Sequence, residues 1–223
     1  MFDHPEIYSA TGLMDLISQV GFLPLLNSGI DGFCAEEVVT PDCRYVTFDD
    51  GGWDWPMWKW KGPILRDMGC YYGKFFDKKA GYIDRAWWPD FCNYRRSQYP
   101  TPAEGSIEET ILMTLRECGS LVTRDLRAAC GFEGKGMRSK FDSFVTRLEM
   151  GCYIVTEDFV YRKDKQGRDY GWGLSLLTTP EQLHGIEAQQ TDHTPEESHR
   201  LLLEHFQRIL PDATKQQIQK IIG

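Results

Sequence analysis

Residues 106–177 decide the fold and read SIEETILMTLRECGSLVTRDLRAACGFEGKGMRSKFDSFVTRLEMGCYIVTEDFVYRKDKQGRDYGWGLSLL. Ser106 and Glu109 have the spacing of a capping box, in which each side chain satisfies a backbone N–H at the start of a helix. Apolar residues then recur at helical spacing as far as Gly119, a residue type that ends helices. This pattern predicts a first helix between Ser106 and Gly119.

Two further helices are predicted downstream of Gly119. Thr123 is a suitable N-cap for a short helix that ends near Cys130. The third helix is predicted over residues 137–150, where Gly151 supplies the C-cap. Its apolar residues lie within an arc of about 100° and form one core-facing side: Met137, Phe141, Phe144, Val145 and Leu148.

Beyond the third helix, the apolar spacing changes from the helical period to the alternation of a β-strand. Residues 153–156 and 159–162 are rich in β-formers, residues 164–169 form a charged turn, and residues 170–177 return as a strand. Three helices followed by a hairpin with a charged tip is the element order of a winged helix-turn-helix. We therefore predict that fold for residues 106–180.

The 223 residues are 41% hydrophobic and 26% charged, which excludes a wholly disordered chain. The formal net charge of −8 argues against a protein that coats nucleic acid along its whole surface. The charge is unevenly distributed, however, because residues 1–58 carry one base and ten acids, whereas residues 59–96 carry nine bases and four acids. Six of the seven Trp residues lie between Trp53 and Trp88. An acidic chain therefore contains one basic, Trp-rich block.

The predicted fold class is α+β, a winged helix-turn-helix domain packed with a Trp-rich mixed α/β N-terminal lobe. Residues 97–105 contain two prolines and a glycine and read as a linker. Residues 1–100 form the predicted lobe, with a second winged-helix-like unit as the alternative. Residues 194–223 are predicted to form C-terminal helices, the first capped by Thr194 and the last opened by Asp212.

The sequence predicts a cytoplasmic protein with no membrane association. The apolar run at residues 20–26 is short and is interrupted by Gly21 and Pro24, so neither a signal peptide nor a membrane span is indicated. The seven Cys residues are odd in number, scattered and never in a Cys-x-x-Cys pair, which is typical of reduced thiols. The oligomeric state is not predicted.

A winged helix that binds DNA lays its third helix in the major groove and brings its hairpin, the wing, to the phosphate backbone. Cations and hydroxyls on the outer side of the third helix and in the wing suit such contacts. The predicted nucleic-acid-binding residues are Arg138, Ser139, Lys140, Arg147, Arg162, Lys163, Lys165 and Arg168. Since residues 106–178 carry eleven acids and eleven bases, a structural or protein-binding role is the alternative.

The Trp-rich block is the second candidate site. If residues 58–61 form a strand, both indoles point to one side and both ammonium groups to the other. Aromatic rings can stack on unpaired bases while cations hold phosphates. The predicted aromatic and basic pocket consists of Trp55, Trp58, Lys59, Trp60, Lys61, Tyr72, Lys74, Arg95 and Arg96. In the alternative interpretation the indoles lie in a core and the lysines in water.

No metal site, cofactor or catalytic residue is predicted. His193, His199 and His205 recur every six residues, so on a helix they point to three different faces and cannot share one metal ion. The chain contains no His-x-x-x-His, no Cys-x-x-Cys and no Gly-x-Ser-x-Gly. We expect neither a bound metal nor a cofactor.

Four segments of the basic block carry a resemblance to a known family. Residues 58–63, 72–76, 79–83 and 89–96 read WKWKGP, YGKFF, KAGYI and PDFCNYRR. This block resembles bacterial proteins described as AlkZ-related, and the similarity runs over most of the chain.

AlkZ-type enzymes are winged-helix DNA glycosylases that excise alkylated bases, and they use a Gln-x-Gln or Gln-x-Asp motif. Here, Gln217-Ile218-Gln219 and Gln190-Thr191-Asp192 have those letters. The first lies in a predicted C-terminal helix and the second in an irregular segment. The resemblance therefore implies the fold and a nucleic-acid ligand, and it transfers no catalytic residue.

Three hypotheses for the function follow. The leading one is a winged-helix protein that binds DNA without catalysis. The second is an AlkZ-like glycosylase with an altered or lost active site, in which the Trp-rich block holds a flipped base. The third is a protein-interaction module. A continuous positive strip across the third helix and the wing favours DNA, whereas a strip interrupted by acids favours a protein partner.

Overall fold

The computed structural model describes residues 2, 4–134 and 136–223. Within residues 4–98 short helices alternate with short strands. In chain order the elements are α1 (Ala10–Val20), β1 (Phe22–Pro24), α2 (Ala35–Val38), β2 (Val46–Thr47), β3 (Trp53–Asp54), α3 (Pro56–Lys59), α4 (Lys61–Met68), β4 (Tyr71–Phe76), β5 (Lys79–Ile83) and α5 (Trp88–Gln98).

The rest of the chain contains longer helices and one long hairpin. In chain order the elements are α6 (Ile107–Cys118), β6 (Leu121–Val122), α7 (Thr123–Ala129), α8 (Met137–Met150), β7 (Val155–Lys163), β8 (Asp169–Thr178), α9 (Pro180–His184), α10 (Pro195–Ile209) and α11 (Lys215–Ile222). The protein is thus a mixed α/β fold with small antiparallel sheets. No helix in the described part of the chain is long and apolar enough to cross a membrane.

The N-terminal part is built on a three-stranded sheet of order β1-β5-β4. Strands β4 and β5 form an antiparallel hairpin in which Tyr72 pairs with Tyr82. Gly81 of β5 packs tightly against β1, its neighbour in the sheet. A Cβ atom at this position would come within 2.6 Å of the carbonyl oxygen of Leu23. Any larger residue at this position would push the two strands apart.

The three predicted helices between residues 106 and 150 are present, and α8 has the predicted bounds. The backbone N–H of Glu109 donates to the Ser106 hydroxyl over 3.1 Å, as expected for a cap. The Glu109 carboxylate, however, accepts from Gly105 instead of closing the capping box on Ser106. Phe141 and Val145 of α8 are buried in a core of residues 111–177, which confirms the predicted apolar side.

The hairpin of β7 and β8 is longer than predicted and gains β6 as a third strand, in the order β6-β8-β7. Asp164 orders the charged turn, because its carboxylate accepts from the backbone N–H groups of Gln166 and Arg168 over 2.8 and 2.9 Å. The register shifts between Val160 and Arg162. Val160 pairs with Leu174 and Arg162 with Tyr170, so the extra residues of this bulge lie in β8, at residues 171–173.

The C-terminal helices return to the core of the N-terminal part, where Leu202 and Phe206 of α10 are buried. Thr194 and Glu197 form the complete capping box of α10, as the sequence predicts. The predicted start of the last helix at Asp212 is wrong, because Thr214 is the N-cap of α11 and Gln217 completes its capping box.

The strand considered for residues 58–61 does not form, because the segment is helical. Pro56 occupies the first turn of α3, where its fixed φ and missing N–H are tolerated. The helical segment continues through Trp60 into α4. The alternation of Trp and Lys therefore does not place the indoles and the ammonium groups on opposite faces.

Arg95 of α5 joins three distant parts of the chain in the core. Its side chain is fully buried and donates to the carbonyl oxygens of Phe75, Met150 and Ile222 over 2.8–3.0 Å. These carbonyls belong to β4, to the last residue of α8 and to the last residue of α11. One guanidinium thus fixes the end of α8 against the N-terminal sheet.

We expect Arg95→Met to lower the free energy of unfolding by about 3 kcal/mol, because three buried carbonyls each lose a bond worth about 1 kcal/mol. Urea unfolding followed by circular dichroism measures the change. The exposed pair Arg200 and Glu204 provides the matched control, and Arg200→Met is expected to change stability by less than about 0.5 kcal/mol. Equal effects of the two substitutions would contradict this role for Arg95.

Candidate functional site

A cleft of about 580 Å³ lies where the Trp-rich block meets the β7–β8 hairpin. Residues of both segments line it: Trp53, Asp54, Trp55, Trp58, Lys59, Gly62, Pro63, Arg66, Phe159, Tyr161, Asp169, Tyr170 and Gly171. The sequence analysis treated the basic aromatic block and the hairpin as two separate surfaces. The fold brings them together into one site, which we call the aromatic cleft.

A stack of three half-exposed rings stands beside the aromatic cleft. The ring centroids of Tyr45 and Trp53 are 5.8 Å apart, and those of Trp53 and Trp172 are 4.9 Å apart. The interplanar angles are 25° and 17°, so the three rings are nearly parallel. These side chains are 45%, 46% and 50% exposed, respectively. Half-exposed parallel rings offer stacking surface to a planar ligand.

Trp172 reaches this stack because the β8 backbone departs from regular strand geometry. Gly171 and Gly173 on either side of it have φ values of +84° and +73°, which only glycine adopts without strain. The Trp172 carbonyl then accepts a hydrogen bond of 2.9 Å from the Trp58 indole N–H. This bond spans 114 residues of chain and holds β8 against α3.

The inner wall of the aromatic cleft has donors that lack partners. Trp55 and Trp58 stack with centroids 4.6 Å apart. The indole nitrogen of Trp55 and the hydroxyl of Tyr161 are buried, and neither has a hydrogen-bond partner. Both residues line the cleft. Buried polar atoms are normally satisfied in a folded protein, so these two donors are exceptions at the wall of the cleft.

Ion pairs balance the charge around the aromatic cleft. Arg66 donates to both carboxylate oxygens of Asp158 over 2.7 and 2.9 Å. Lys59 lies 2.5 Å from a carboxylate oxygen of Asp54, and this hydrogen bond lowers the pKa of Asp54. Lys163 lies 2.5 Å from a carboxylate oxygen of Asp169. The rim of the cleft is therefore close to neutral.

Lys61 is buried and does not face the solvent. The residue is 2% exposed, and its ammonium nitrogen lies 3.3 Å from the ring centroid of Trp58 and 4.1 Å from that of Phe159. Burial lowers the pKa of Lys61 to about 7. The structure shows no acidic partner for this amine in the described part of the chain, so two aromatic faces provide its stabilisation.

A second groove, also of about 580 Å³, separates the outer side of α8 from the β4–β5 hairpin. Lys74 and Lys78 line one wall, while Ser139 and Arg147 line the other. Lys74 is held in place, because its ammonium donates to the Thr146 hydroxyl over 3.0 Å. We call this feature the α8 groove. The outer side of α8 thus borders the N-terminal sheet and is open along one flank.

The eight residues predicted to bind nucleic acid are all exposed on α8 and on the hairpin. Four of them lie within 3.8 Å of an acid, in the pairs Arg138–Asp142, Arg147–Glu108, Lys163–Asp169 and Arg168–Asp164. Within the described residues, no ion pair is found for Lys140, Arg162 or Lys165. The cations therefore alternate with acids instead of forming a continuous positive strip, and by the criterion given above the charge pattern of this surface favours a protein partner over DNA.

Several residues of the predicted aromatic and basic pocket lie away from the cleft. Tyr72 is buried beneath it, and burial raises the pKa of its hydroxyl. Arg95 is occupied by backbone carbonyls in the core. Arg96 donates to Glu181 and to the carbonyl of Cys152. Trp60 is half-buried against the main core, and Lys74 lines the α8 groove.

The aromatic residues of the hairpin that complete the aromatic cleft were not predicted as site residues. They are Phe159, Tyr161, Tyr170 and Trp172, which the sequence pattern indicated only as parts of strands. The sequence does contain a local signal for Trp172. The glycines on both sides of it weaken a regular strand and often mark a bulge. No local signal identifies its partner Trp53.

The two Gln-x-Gln and Gln-x-Asp matches have structural contacts. The Gln217 side chain caps α11, and the Gln219 amide donates to the Tyr94 hydroxyl. Thr191 and His193 bond to Asp90, which raises the pKa of His193. Neither match lines the aromatic cleft or the α8 groove.

Among the described residues, no group of three or more His, Cys, Asp or Glu side chains could hold a metal ion.

The fold is that of a mixed α/β protein with a cleft, rich in Trp and Tyr, between the Trp-rich block and a long hairpin. A family model described as "AlkZ related" matches residues 7–223. The chain therefore belongs to the AlkZ-related family, as the resemblance of its basic block indicates. None of the curated proteins or solved structures compared with the chain matches it.

The position of Lys61 predicts a pH dependence of stability. Its folded pKa of about 7 lies below its ordinary value of 10.5, so between these values the unfolded state binds more protons than the folded state. The contribution of Lys61 to the free energy of unfolding therefore rises with pH, by about 1 kcal/mol per pH unit.

Urea unfolding of the wild type and of Lys61→Met at pH 7, 8 and 9 tests this prediction, because all other titrating groups cancel in the difference. We expect the wild type to gain stability relative to the variant at each step. A difference that stays constant over this range would show that Lys61 titrates normally.

Proposed function

We propose that this AlkZ-related protein binds DNA without catalysis, using residues 106–178 as a winged helix-turn-helix and the aromatic cleft as a second contact. One observation carries the proposal. The hairpin that would serve as the wing and the Trp-rich block meet in a single cleft beside the half-exposed stack of Tyr45, Trp53 and Trp172.

The stacked rings support a ligand with unpaired bases. Every base has a flat face, and stacking on an aromatic side chain contributes about 1–3 kcal/mol per base regardless of sequence. Tyr45 and Trp172 are the two end members of the stack, and both also make T-shaped contacts with Trp55. Because the rim of the cleft is nearly neutral, stacking and not phosphate attraction would dominate the affinity there.

The α8 groove supports a separate contact with the phosphate backbone. Arg147, Lys74 and Lys78 bring three cations to it, and Ser139 and Ser143 supply hydroxyl donors. Such groups position a nucleic acid without reading its sequence. The unpaired cations Lys140, Arg162 and Lys165 extend the surface onto α8 and the hairpin tip. The acids between these cations would limit the affinity, and the phosphate contacts that form would make it fall as the salt concentration rises.

A DNA glycosylase with an altered active site is the second candidate function. The observation in its favour is the pair of unpartnered donors, the Trp55 indole and the Tyr161 hydroxyl, on the wall of the aromatic cleft. A pocket for an extruded base needs stacking rings and a few hydrogen-bonding groups of this kind. Release of free base from an alkylated duplex under single-turnover conditions would favour this function over binding alone.

We expect Trp172→Ala to weaken binding to a duplex that contains a short single-stranded gap by about 1–3 kcal/mol, because one stacking face is lost. The hydrogen bond from the Trp58 indole to the backbone carbonyl of residue 172 is kept in this variant. The Trp172 ring also packs against Trp53, Trp55 and Trp58, so circular dichroism of the variant must show an intact fold before the affinities are compared. Fluorescence anisotropy with labelled gapped and fully paired duplexes measures the two affinities.

Tyr8→Ala is the matched control, because Tyr8 is 74% exposed and does not line the cleft. It should leave both affinities unchanged. An equal loss for Trp172→Ala on the gapped and the fully paired duplex would contradict stacking at this position. The absence of any binding at about 50 mM salt would refute the proposed function and leave a protein-interaction module as the alternative.

Arg147→Ala tests the phosphate contact in the α8 groove. We expect it to weaken binding to all sequences alike and to reduce the slope of log K against log salt concentration by about 1, as loss of one phosphate contact requires. Arg200→Ala, on the exposed side of α10, is the control and should leave the slope unchanged. A changed affinity with an unchanged slope would place Arg147 outside the phosphate interface.

A further inference from the structure

Five aromatic side chains from two distant segments form an exposed patch at the mouth of the aromatic cleft. Tyr45, Phe48 and Trp53 belong to residues 45–53, whereas Tyr170 and Trp172 belong to β8, and each is about half exposed. The Trp53 ring joins the two groups, because it stacks on Trp172 with centroids 4.9 Å apart. A contiguous apolar patch on a folded protein marks an interaction surface. We call this surface the aromatic patch.

The aromatic patch is large enough to form the centre of a protein–protein interface. An aromatic side chain buries about 150–250 Å², so covering five half-exposed rings would remove roughly 400–600 Å² from water. A stable interface takes about 800 Å² from each partner. The aromatic patch therefore supplies half or more of that area, and the charged turns beside it can supply the rest.

Charges of both signs border the aromatic patch. Residues 45–54 contain three acids and no base, and Asp49 in this segment is exposed. The hairpin tip, residues 162–169, contains four bases and two acids. Within the described residues, no ion pair is found for Asp49, Arg162 or Lys165. One copy of the protein thus carries an acidic turn and a basic tip that do not neutralise each other.

We propose that a second copy of this chain docks on the aromatic patch and forms a twofold dimer. In such a dimer every contact made by one copy is repeated by the other, so the surface must be complementary to itself. The Asp49 carboxylate of one copy would face Arg162 or Lys165 of the other, with the aromatic rings between them. A partner of a single charge sign, such as DNA or a basic peptide, would match only part of this surface.

The dimer goes beyond the proposed function and has a consequence for it. Trp53 and Trp172 are both in the aromatic patch and in the ring stack that would contact unpaired bases. The two uses of these rings exclude each other. A gapped duplex in excess is therefore expected to convert the dimer into a complex with one copy of the protein.

Analytical ultracentrifugation of the full-length protein without DNA tests the dimer. We expect the mass to rise from 25.8 kDa to twice this value as the protein concentration is raised through the micromolar range. Trp172→Ala should keep the mass of one copy under the same conditions. Ile186→Ala is the matched control, because Ile186 is exposed outside the aromatic patch, and it should form dimers as the wild type does.

An exchange of charges tests the pairing across the twofold axis. Asp49→Lys alone, and Arg162→Glu combined with Lys165→Glu, should each prevent dimer formation, because like charges would then face each other. An equal mixture of the two variants should regain the mass of two copies, since each introduced charge meets an opposite one. This recovery also shows that both variants are folded.

A wild type that keeps the mass of one copy at every concentration would overturn the dimer. Dimers that persist in all of these variants, or a mixture that stays monomeric, would overturn the aromatic patch as their interface. Anisotropy with the gapped duplex separates this inference from the proposed function. DNA binding by a protein that is always monomeric refutes only the dimer, whereas a dimer without DNA binding supports this inference and refutes the proposed function.

Discussion

The buried guanidinium of Arg95 is the contact on which the arrangement of the whole molecule depends. It bonds at once to a strand of the N-terminal sheet, to the end of α8 and to the end of the chain. Because the end of α8 leads directly into the β7–β8 hairpin, this one group sets where the hairpin meets the Trp-rich block. The aromatic cleft and the α8 groove are both consequences of that placement.

A second constraint acts within the cleft itself. Trp58 bonds through its edge to the backbone of Trp172 and stacks on Trp55, while Lys61 lies against its ring. Three interactions therefore converge on one indole. Lys61 is therefore buried without a carboxylate partner, and this burial lowers the pKa of its ammonium group. An apolar residue at position 61 would avoid the cost of burying this amine.

Local patterns predicted the local structure well. Helices α6 and α8 follow from caps and helical spacing, and the capping box of Thr194 is present as expected. The predicted N-cap of α7 is wrong, because Thr123 is the first residue of that helix and Val122 is its N-cap. The alternation of Trp and Lys at residues 58–61 has the two-residue period of a strand, but the segment is helical. Pro56 starts the helix α3 just before it. The site could be predicted only in part. Trp172 contacts partners more than 100 residues away, and neither the burial of Lys61 nor the core position of Arg95 leaves any trace in its own neighbourhood of the sequence.

The central claim is that the hairpin and the Trp-rich block form one nucleic-acid interface. Photo-crosslinking of the protein to a gapped duplex that carries 5-iodouracil in the gap, with the attached peptides identified by mass spectrometry, tests it most directly. We expect cross-links from both segments of the cleft: to Trp53 of the Trp-rich block, and to Trp172 or Tyr170 of the hairpin. Cross-links confined to α10 and α11, or to the hairpin tip alone, would contradict it.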